Sequence, residues 1–179
     1  MSAGAHKRIG ILISGRGSNM QVLSEACRLG RLPASVGVVI SNRHDAEGLH
    51  VAAQADVPNL TLDHREYANR EDYDAALVRQ LERHAVDIVL LAGFMRILTP
   101  VFIDAYRGRL LNIHPSLLPR YQGLNTHQRA LDAGDTEAGT TVHFVTEELD
   151  GGPPVLQASL PIAAGDDAGR TLVPMRGQA

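Results

Sequence analysis

The segment at residues 110–119, LLNIHPSLLP, carries the side chains with the clearest potential for catalysis. Asn112 and His114 follow a short apolar strand, and Pro115 ends it, because proline cannot donate a hydrogen bond to a sheet. In an open α/β sheet, ligands bind at the carboxyl ends of the strands. An amide can donate to a developing oxyanion, and an imidazole titrates near neutral pH. The segment therefore predicts acyl chemistry at this strand end.

A glycine-containing turn at residues 14–19, SGRGSN, is the second candidate site. Glycines let the backbone approach an anion, and the free amides at the start of the following helix point toward it. The turn lacks the third glycine of a dinucleotide fingerprint and the Gly-Lys-Ser/Thr of a Walker loop, so it favours a phosphomonoester. The alternative is a tight turn with a capping serine and no ligand.

Two other segments carry weaker signals. Residues 92–98, AGFMRIL, place large apolar side chains around one arginine, which can line a pocket for a flat heteroaromatic ligand. Taken alone, the same residues are better interpreted as packing against the next helix. Asp150, before two glycines in EELDGGPP, can reach an imidazole at a neighbouring strand end and set its tautomer and charge. The alternative is a solvated acidic turn.

The other histidines and the single cysteine indicate no second catalytic site or metal site. His127, on a predicted helix, and His143, in a predicted strand, are interpreted as structural residues. The histidine spacing matches no common zinc pattern, so we predict no metal. Cys27 lies on an apolar helix face and is interpreted as a small buried hydrophobe; one cysteine excludes an internal disulfide.

Length and composition predict one globular domain over residues 1–179, since 44% of the residues are hydrophobic and 21% are charged. The formal net charge is −3 and the basic residues are dispersed, which disfavours nucleic acid and anionic membranes as partners. No apolar run approaches the roughly 20 residues that span a bilayer, and no secretory leader is visible. With its lone cysteine, the chain is predicted to be cytoplasmic.

Strand and helix patterns alternate along most of the chain. This predicts an α/β fold with a Rossmann-like, mostly parallel sheet flanked by helices. Two late strands without a helix between them predict an antiparallel end to the sheet. The predicted strands are 8–14, 36–40, 59–62, 87–92, 110–114, 140–146 and 155–162, and the predicted helices are 20–28, 46–55, a helix capped by Asn69, 100–106 and 126–133.

Four segments together, GRGSN, LLAGFMRIL, LLNIHPSLLPRYQGLNTH and HFVTEELDGGP, resemble the folate-dependent formyltransferases that act on glycinamide ribonucleotide in purine synthesis. The likeness runs from about residue 8 to residue 166. It implies the formyltransferase fold and transfer of formyl from the co-substrate 10-formyltetrahydrofolate to the ribonucleotide amine. It further implies small-molecule substrates, no metal, and a monomer or homodimer.

The resemblance also implies roles for individual residues. The family's catalytic trio corresponds to Asn112, His114 and Asp150, and its phosphate loop corresponds to Gly17, Ser18 and Asn19. The folate-binding positions correspond to Arg70, Met95, Arg96, Ile97, Leu98, Asn112, Thr146, Glu147, Glu148, Leu149 and Asp150. Taken without the resemblance, Arg70 is a solvent-facing helix residue.

Two departures separate this chain from the family pattern. Gln122 and Asn125 stand where the family has proline and histidine, which predicts a looser loop with one imidazole fewer near the site. The family continues after residue 166 through an amphipathic helix, whereas Gly169, Pro174 and Gly177 break any such helix here. This predicts a truncated C-terminus, from a frameshift or truncation of the coding sequence or as a genuine short variant.

Two alternative functions stay open at this point. The first is a formyltetrahydrofolate hydrolase, in which water replaces the amine. The second is a non-catalytic nucleotide- or folate-binding protein, or an inactive remnant with an altered tail.

Overall fold

The computed structural model describes residues 6–163 and 165–168, and the chain divides into two compact units, residues 1–111 and 112–179. The single domain over 1–179 stays a prediction. Gly169, Pro174 and Gly177 lie outside the described residues, and so does most of the predicted truncated tail.

The first unit contains four parallel strands in the order β3-β2-β1-β4. The strands are β1 (Lys7–Ile13), β2 (Ala34–Ser41), β3 (Asn59–Thr61) and β4 (Ile88–Leu91), and the helices are α1 (Ser18–Arg28), α2 (Glu47–Gln54), α3 (Arg70–Arg83) and α4 (Pro100–Ala105). A helix lies between each pair of consecutive parallel strands of this unit, as is usual for a parallel connection. Strand β5 (Leu110–His114) begins at the end of this unit.

Both faces of the β1–β2 sheet are covered by helices. On one face, Ile11 and Ile13 of β1 belong to a buried apolar cluster with Met20 of α1 and Ala52 of α2. On the other face, Gly10 approaches α3 so closely that an added Cβ would lie 2.5 Å from a methyl group of Leu81. The predicted parallel sheet flanked by helices is therefore confirmed.

The second unit contains the last three residues of β5, helix α5 (Thr126–Asp132) and the strands β6 (Glu137–Phe144) and β7 (Pro154–Pro161). Strands β6 and β7 pair antiparallel, with Thr141 opposite Gln157. This confirms the predicted antiparallel C-terminal end. Within the described residues, no helix is long and apolar enough to cross a membrane.

Helix α3 begins as its cap residue predicts. The Asn69 side-chain oxygen accepts a hydrogen bond from the backbone N–H of Asp72 at 2.8 Å, which satisfies one of the free amides of the first turn. The Asn69 amide nitrogen also donates to the Asp72 carboxylate at 2.9 Å. The cap therefore fixes where α3 starts, and with it the position of Arg70.

Replacing the cap tests this contribution. Asn69→Ala is expected to lower the free energy of unfolding by about 1 kcal/mol, because the Asp72 amide loses its acceptor. Urea unfolding followed by circular dichroism measures the change. Asn69→Ser is the matched control. Serine caps a helix about as well as asparagine, so the free energy of unfolding of this variant should stay close to that of the wild type. Equal stability of the alanine and wild-type proteins would contradict the assignment.

Candidate active site

The end of β5 places Asn112 and His114 in the second unit. The His114 ring is almost completely buried, and Asn112 is half-buried two residues before it, on the same side of the strand. Pro115 follows directly, and β5 ends at His114 as predicted. Strand alternation thus brings the amide and the imidazole to one face.

Asp150 reaches this face from the loop that follows β6. Its backbone is left-handed, with φ of 52°, a conformation that aspartate and asparagine adopt more readily than most residues. The carboxylate is buried, and its Oδ2 accepts a hydrogen bond from the backbone N–H of Gly123 at 2.9 Å. The loop backbone therefore holds the carboxylate in place.

The three predicted catalytic side chains lie together. His114 Nδ1 is 3.4 Å from Asp150 Oδ2, and Asn112 Nδ2 is 3.5 Å from Asp150 Oδ1. All three lie within the second unit. A buried carboxylate between an amide and an imidazole can orient both groups and stabilise positive charge on the ring.

His114 has an oxygen acceptor at each ring nitrogen. Nδ1 faces the Asp150 carboxylate, and Nε2 lies 3.0 Å from the backbone carbonyl oxygen of Tyr121. A carboxylate and a carbonyl can only accept, so each of these contacts becomes a hydrogen bond only when the ring nitrogen that faces it carries a proton. The two oxygens therefore fix the orientation of the ring.

His143 is the site residue that the sequence interpretation missed. It is fully buried in β6, where Nδ1 is 2.9 Å from the Phe144 carbonyl oxygen and Nε2 is 3.2 Å from Asn112 Nδ2. In this arrangement Nδ1–H donates to Phe144, and Nε2 accepts from the Asn112 amide. Nε2 also lies 3.6 Å from Asp150 Oδ1, so His143 is a fourth member of the cluster.

The reason for missing His143 is the face assigned to β6. The apolar residues Val142 and Phe144 suggested the inward face, but the structure half-buries them and fully buries Thr141 and His143. The polar residues Thr141 and His143, two positions apart on the strand, are the signal that could have identified the buried face of β6.

The loop after His114 uses both residues that depart from the family pattern. Gln122 Nε2 donates to the backbone oxygen of Asp150 at 3.4 Å, a long hydrogen bond. Asn125 has φ of 55° and precedes α5 as its cap residue. The loop is thus tied to Asp150 through a glutamine and through Gly123, and its predicted looseness stays a prediction.

The predicted phosphate residues line a cleft of about 440 Å³ in the first unit. Gly17 is the cap of α1, which begins at Ser18 rather than at Met20 as expected. Gly17 has φ of 72°, and a Cβ there would lie 2.9 Å from the Gly48 backbone, so only glycine fits without strain. The structure thus presents the first amides of α1 at the cleft.

The predicted folate residues of the first unit differ in exposure. Met95 and Ile97 are exposed by 66% and 62%, whereas Leu98 is buried in the core, as the packing alternative expects. Arg70 is exposed, but its Nη2 donates to the Ile97 carbonyl oxygen at 2.5 Å. Arg70 therefore holds the loop after β4 in place and is more than a solvent-facing residue.

In the second unit, the predicted folate residues form the loop that leads to Asp150. Glu147, Glu148 and Leu149 are exposed, and Thr146 is half-buried with its hydroxyl donating to the Glu148 carbonyl oxygen at 3.4 Å. The loop has an exposed apolar side chain at Leu149 next to the buried carboxylate of Asp150.

One mixed cluster of His44, Asp63 and Glu66 brings potential metal-ligand atoms within 4.8 Å of one another in the described part of the chain. The Asp63 carboxylate already accepts three hydrogen bonds from Nε and Nη2 of Arg65, which hold its pKa well below the usual range. The absence of a metal stays a prediction.

Gly152 determines how closely the Asp150 loop approaches β6. An added Cβ would lie 1.8 Å from the Phe144 carbonyl oxygen, a contact that the rigid backbone cannot relieve locally. Gly152→Ala is therefore expected to lower the free energy of unfolding by about 1–3 kcal/mol, as overpacking commonly does, and to displace Asp150. Thermal melting measures the loss of stability, and the catalytic rate measures the effect of displacing Asp150.

The matched control for that change is Gly15→Ala. A Cβ at Gly15 meets no atom within 4 Å, and Gly15 is not left-handed, so its melting temperature should stay close to that of the wild type. If Gly152→Ala and Gly15→Ala have the same melting temperature, the steric argument at Gly152 is wrong.

Comparison with known proteins places this geometry in a family. Residues 7–174 match the formyl transferase family model. The chain is 54% identical over 156 residues to phosphoribosylglycinamide formyltransferase of Escherichia coli (strain K12), covering 87% of this chain and 74% of that protein. It is 50% identical over 163 residues to the trifunctional purine biosynthetic protein adenosine-3 of Drosophila melanogaster, covering 90% of this chain and 12% of that much longer protein.

A solved structure is similar over most of the chain. Glycinamide ribonucleotide transformylase 1 from Symbiobacterium toebii matches with a TM-score of 0.92 at 47% identity, covering 94% of this chain and 79% of the other. The mostly parallel sheet with an antiparallel end is therefore common to both proteins.

Proposed function

The chain belongs to the formyl transferase family, and from this we propose that it transfers a formyl group from 10-formyltetrahydrofolate to the amine of glycinamide ribonucleotide. The observation that carries the proposal is the buried cluster of Asn112, His114 and Asp150 in the second unit. An amide and an imidazole held by one carboxylate suit stabilisation of a tetrahedral oxyanion.

In the proposed reaction, the substrate amine attacks the formyl carbon, a new C–N bond forms, and the carbonyl oxygen becomes an oxyanion. Asn112 Nδ2–H exchanges its long contact with Asp150 Oδ1 for that oxygen, a contribution of about 10²- to 10³-fold for a single donor. The bond to the folate nitrogen then breaks, the oxyanion returns to a carbonyl, and a proton passes from the attacking amine to the departing nitrogen.

His114 stabilises the same charge and assists the proton transfer. Its Nδ1–H stays on Asp150, and its Nε2–H exchanges the Tyr121 carbonyl oxygen for the developing oxyanion. General acid–base assistance of this kind contributes about 10²- to 10⁴-fold.

The family resemblance also assigns the substrate-binding residues. Gly17, Ser18 and Asn19 bind the ribonucleotide phosphate through the first amides of α1. The family resemblance assigns the reduced folate to the positions of Arg70, Met95, Arg96, Ile97, Leu98, Asn112, Thr146, Glu147, Glu148, Leu149 and Asp150. The proposed substrates are small molecules, the proposed reaction uses no metal, and the proposed location is the cytoplasm, which the single cysteine fits.

The comparisons favour the transferase over the formyltetrahydrofolate hydrolase, since the similar proteins named above are formyltransferases or purine biosynthetic proteins. The two activities differ in the acceptor, which is an amine in one and water in the other. Purified residues 1–179 are mixed with 10-formyltetrahydrofolate, and deformylated folate is followed with and without glycinamide ribonucleotide.

Turnover that requires the ribonucleotide is the expected result. Turnover at the same rate without it would replace the proposal with the hydrolase. Ligand-induced thermal stabilisation without turnover would favour the non-catalytic binding protein.

A further inference from the structure

A chain of buried and half-buried hydrogen bonds joins residues that line the first unit's cleft and ends at His64. The Met95 backbone N–H donates to Ser14 Oγ at 2.8 Å, and Ser14 Oγ lies 2.6 Å from Asn42 Oδ1. A backbone amide can only donate, so the serine hydroxyl hydrogen is directed to Asn42 Oδ1. This leaves Asn42 Nδ2 facing His64 Nδ1 at 3.4 Å.

The His64 ring is held from a second direction by Tyr73. The two rings meet edge to face, with centroids 6.2 Å apart and an interplanar angle of 77°. The same Tyr73 ring, which is fully buried, lies 5.9 Å from the guanidinium carbon of Arg96. Tyr73 therefore supports both His64 and Arg96, two basic side chains that line the cleft.

The contacts at Nδ1 decide what Nε2 of His64 offers. A neutral ring that accepts from Asn42 Nδ2 carries its proton on Nε2. A protonated ring can direct Nδ1–H to the Asn42 backbone oxygen at 3.4 Å or to Asp63 Oδ1 at 3.8 Å, and Nε2 again carries a proton. In these two states Nε2–H is a donor, and it has no hydrogen-bond partner in the part of the chain that the structure describes. A neutral ring that donates from Nδ1 to the Asn42 backbone oxygen offers Nε2 as an acceptor instead, and an anion in the cleft selects against that tautomer.

The charge around the cleft identifies the kind of ligand. Arg16, Arg43, His64 and Arg96 line it, and none of its lining residues in the described chain is a carboxylate. Arg43 forms an ion pair with Asp45, which does not line the cleft, at 2.7 Å. Among the described residues, no carboxylate forms an ion pair with Arg16 or Arg96, and Asp74 interacts with Arg96 only at longer range. With the first amides of α1, this arrangement suits an anion with several oxygens.

We infer that His64 is a ligand-binding residue of this cleft, with Nε2–H donating to the phosphate of the ribonucleotide substrate. This inference rests on the proposed function. Ser14 and Asn42 are positioning residues, since they act on the ligand only by orienting His64.

The test compares two replacements at this position. His64→Phe keeps a ring against Tyr73 but removes both nitrogens, and His64→Gln keeps an amide N–H near the place of Nε2. His50→Phe is the control, because His50 is exposed on α2 and does not line the cleft. Binding of ribose 5-phosphate is measured by isothermal titration calorimetry or chemical-shift titration.

We expect His64→Phe to weaken ribose 5-phosphate binding by about 10-fold, as loss of a hydrogen bond to a charged group does. His64→Gln should stay within about 3-fold of the wild type, and His50→Phe should be unchanged. In the transfer assay, His64→Phe should raise KM for the ribonucleotide by about 10-fold with kcat nearly constant, since the residue contacts the phosphate and not the reacting atoms.

Equal ribose 5-phosphate affinity in folded His64→Phe and wild-type protein would overturn the inference, and so would failure of the wild type to bind the probe at all. A fall in kcat without a change in KM would overturn it too. If no variant transfers formyl, the proposed function fails, but the ratio of ribose 5-phosphate affinities still decides whether His64 binds phosphate.

Discussion

His114→Ala is expected to lower kcat for formyl transfer by about 10³-fold while leaving reduced-folate binding nearly unchanged. The variant removes the imidazole that lies between the Asp150 carboxylate and the Tyr121 carbonyl, and with it the charge that the proposed reaction places at the oxyanion. Because this interaction develops only as the substrate oxygen becomes charged, its loss acts on the chemical step. Single-turnover kinetics measures that step directly.

The control for His114→Ala is His50→Ala, since His50 lies on the surface of α2. Its kcat should equal that of the wild type. Folate titration by fluorescence and thermal melting show whether the His114 variant is folded and binds the donor. Turnover of the His114 variant within a few-fold of the wild type would contradict its catalytic role.

Asp150→Asn is expected to lower kcat by about 10²- to 10⁴-fold with little change in folding. The carboxylate serves three donors: Oδ2 faces the Gly123 amide and His114 Nδ1, and Oδ1 faces Asn112 Nδ2. An asparagine has only one acceptor oxygen. If the asparagine oxygen faces Gly123 and His114, the asparagine NH₂ group lies against the Asn112 NH₂ group, and two donors meet. If the amide is rotated by 180°, its NH₂ group lies against the donors of Gly123 and His114.

Neither orientation of the asparagine amide therefore satisfies the cluster, and the negative charge is lost in both. The backbone is not the cause of the loss, because asparagine adopts the left-handed conformation of Asp150 readily. This makes Asp150→Asn a sharper test than alanine, which would add backbone strain.

Asp132→Asn is the matched control for that variant. Asp132 is exposed at the end of α5, and its carboxylate accepts only from Gln128 among the described contacts. Its kinetics should not change. Wild-type kcat in a folded Asp150→Asn protein would show that the charge of Asp150 is not needed.

Much of the fold and two of the three proposed catalytic residues follow from local sequence patterns. Asn112 and His114 are predictable because an apolar strand followed by proline must end there, and parallel strands end at the ligand-binding edge of a sheet. Asn69 is predictable because a cap acts within one helical turn. Asp150 needed the family resemblance, since an acidic residue before two glycines is equally typical of a solvated turn.

The sequence by itself determined the alternation of strands and helices, the end of β5, the start of α3, and the residue types available for acyl chemistry. The tertiary structure decided which groups meet. The Tyr121 carbonyl at His114, the burial of His143 against Asn112, and the approach of Asn42 to His64 all join residues from separate segments. Such contacts depend on strand register, on left-handed loop residues and on the direction of single carbonyl groups, and periodicity in the sequence encodes none of these.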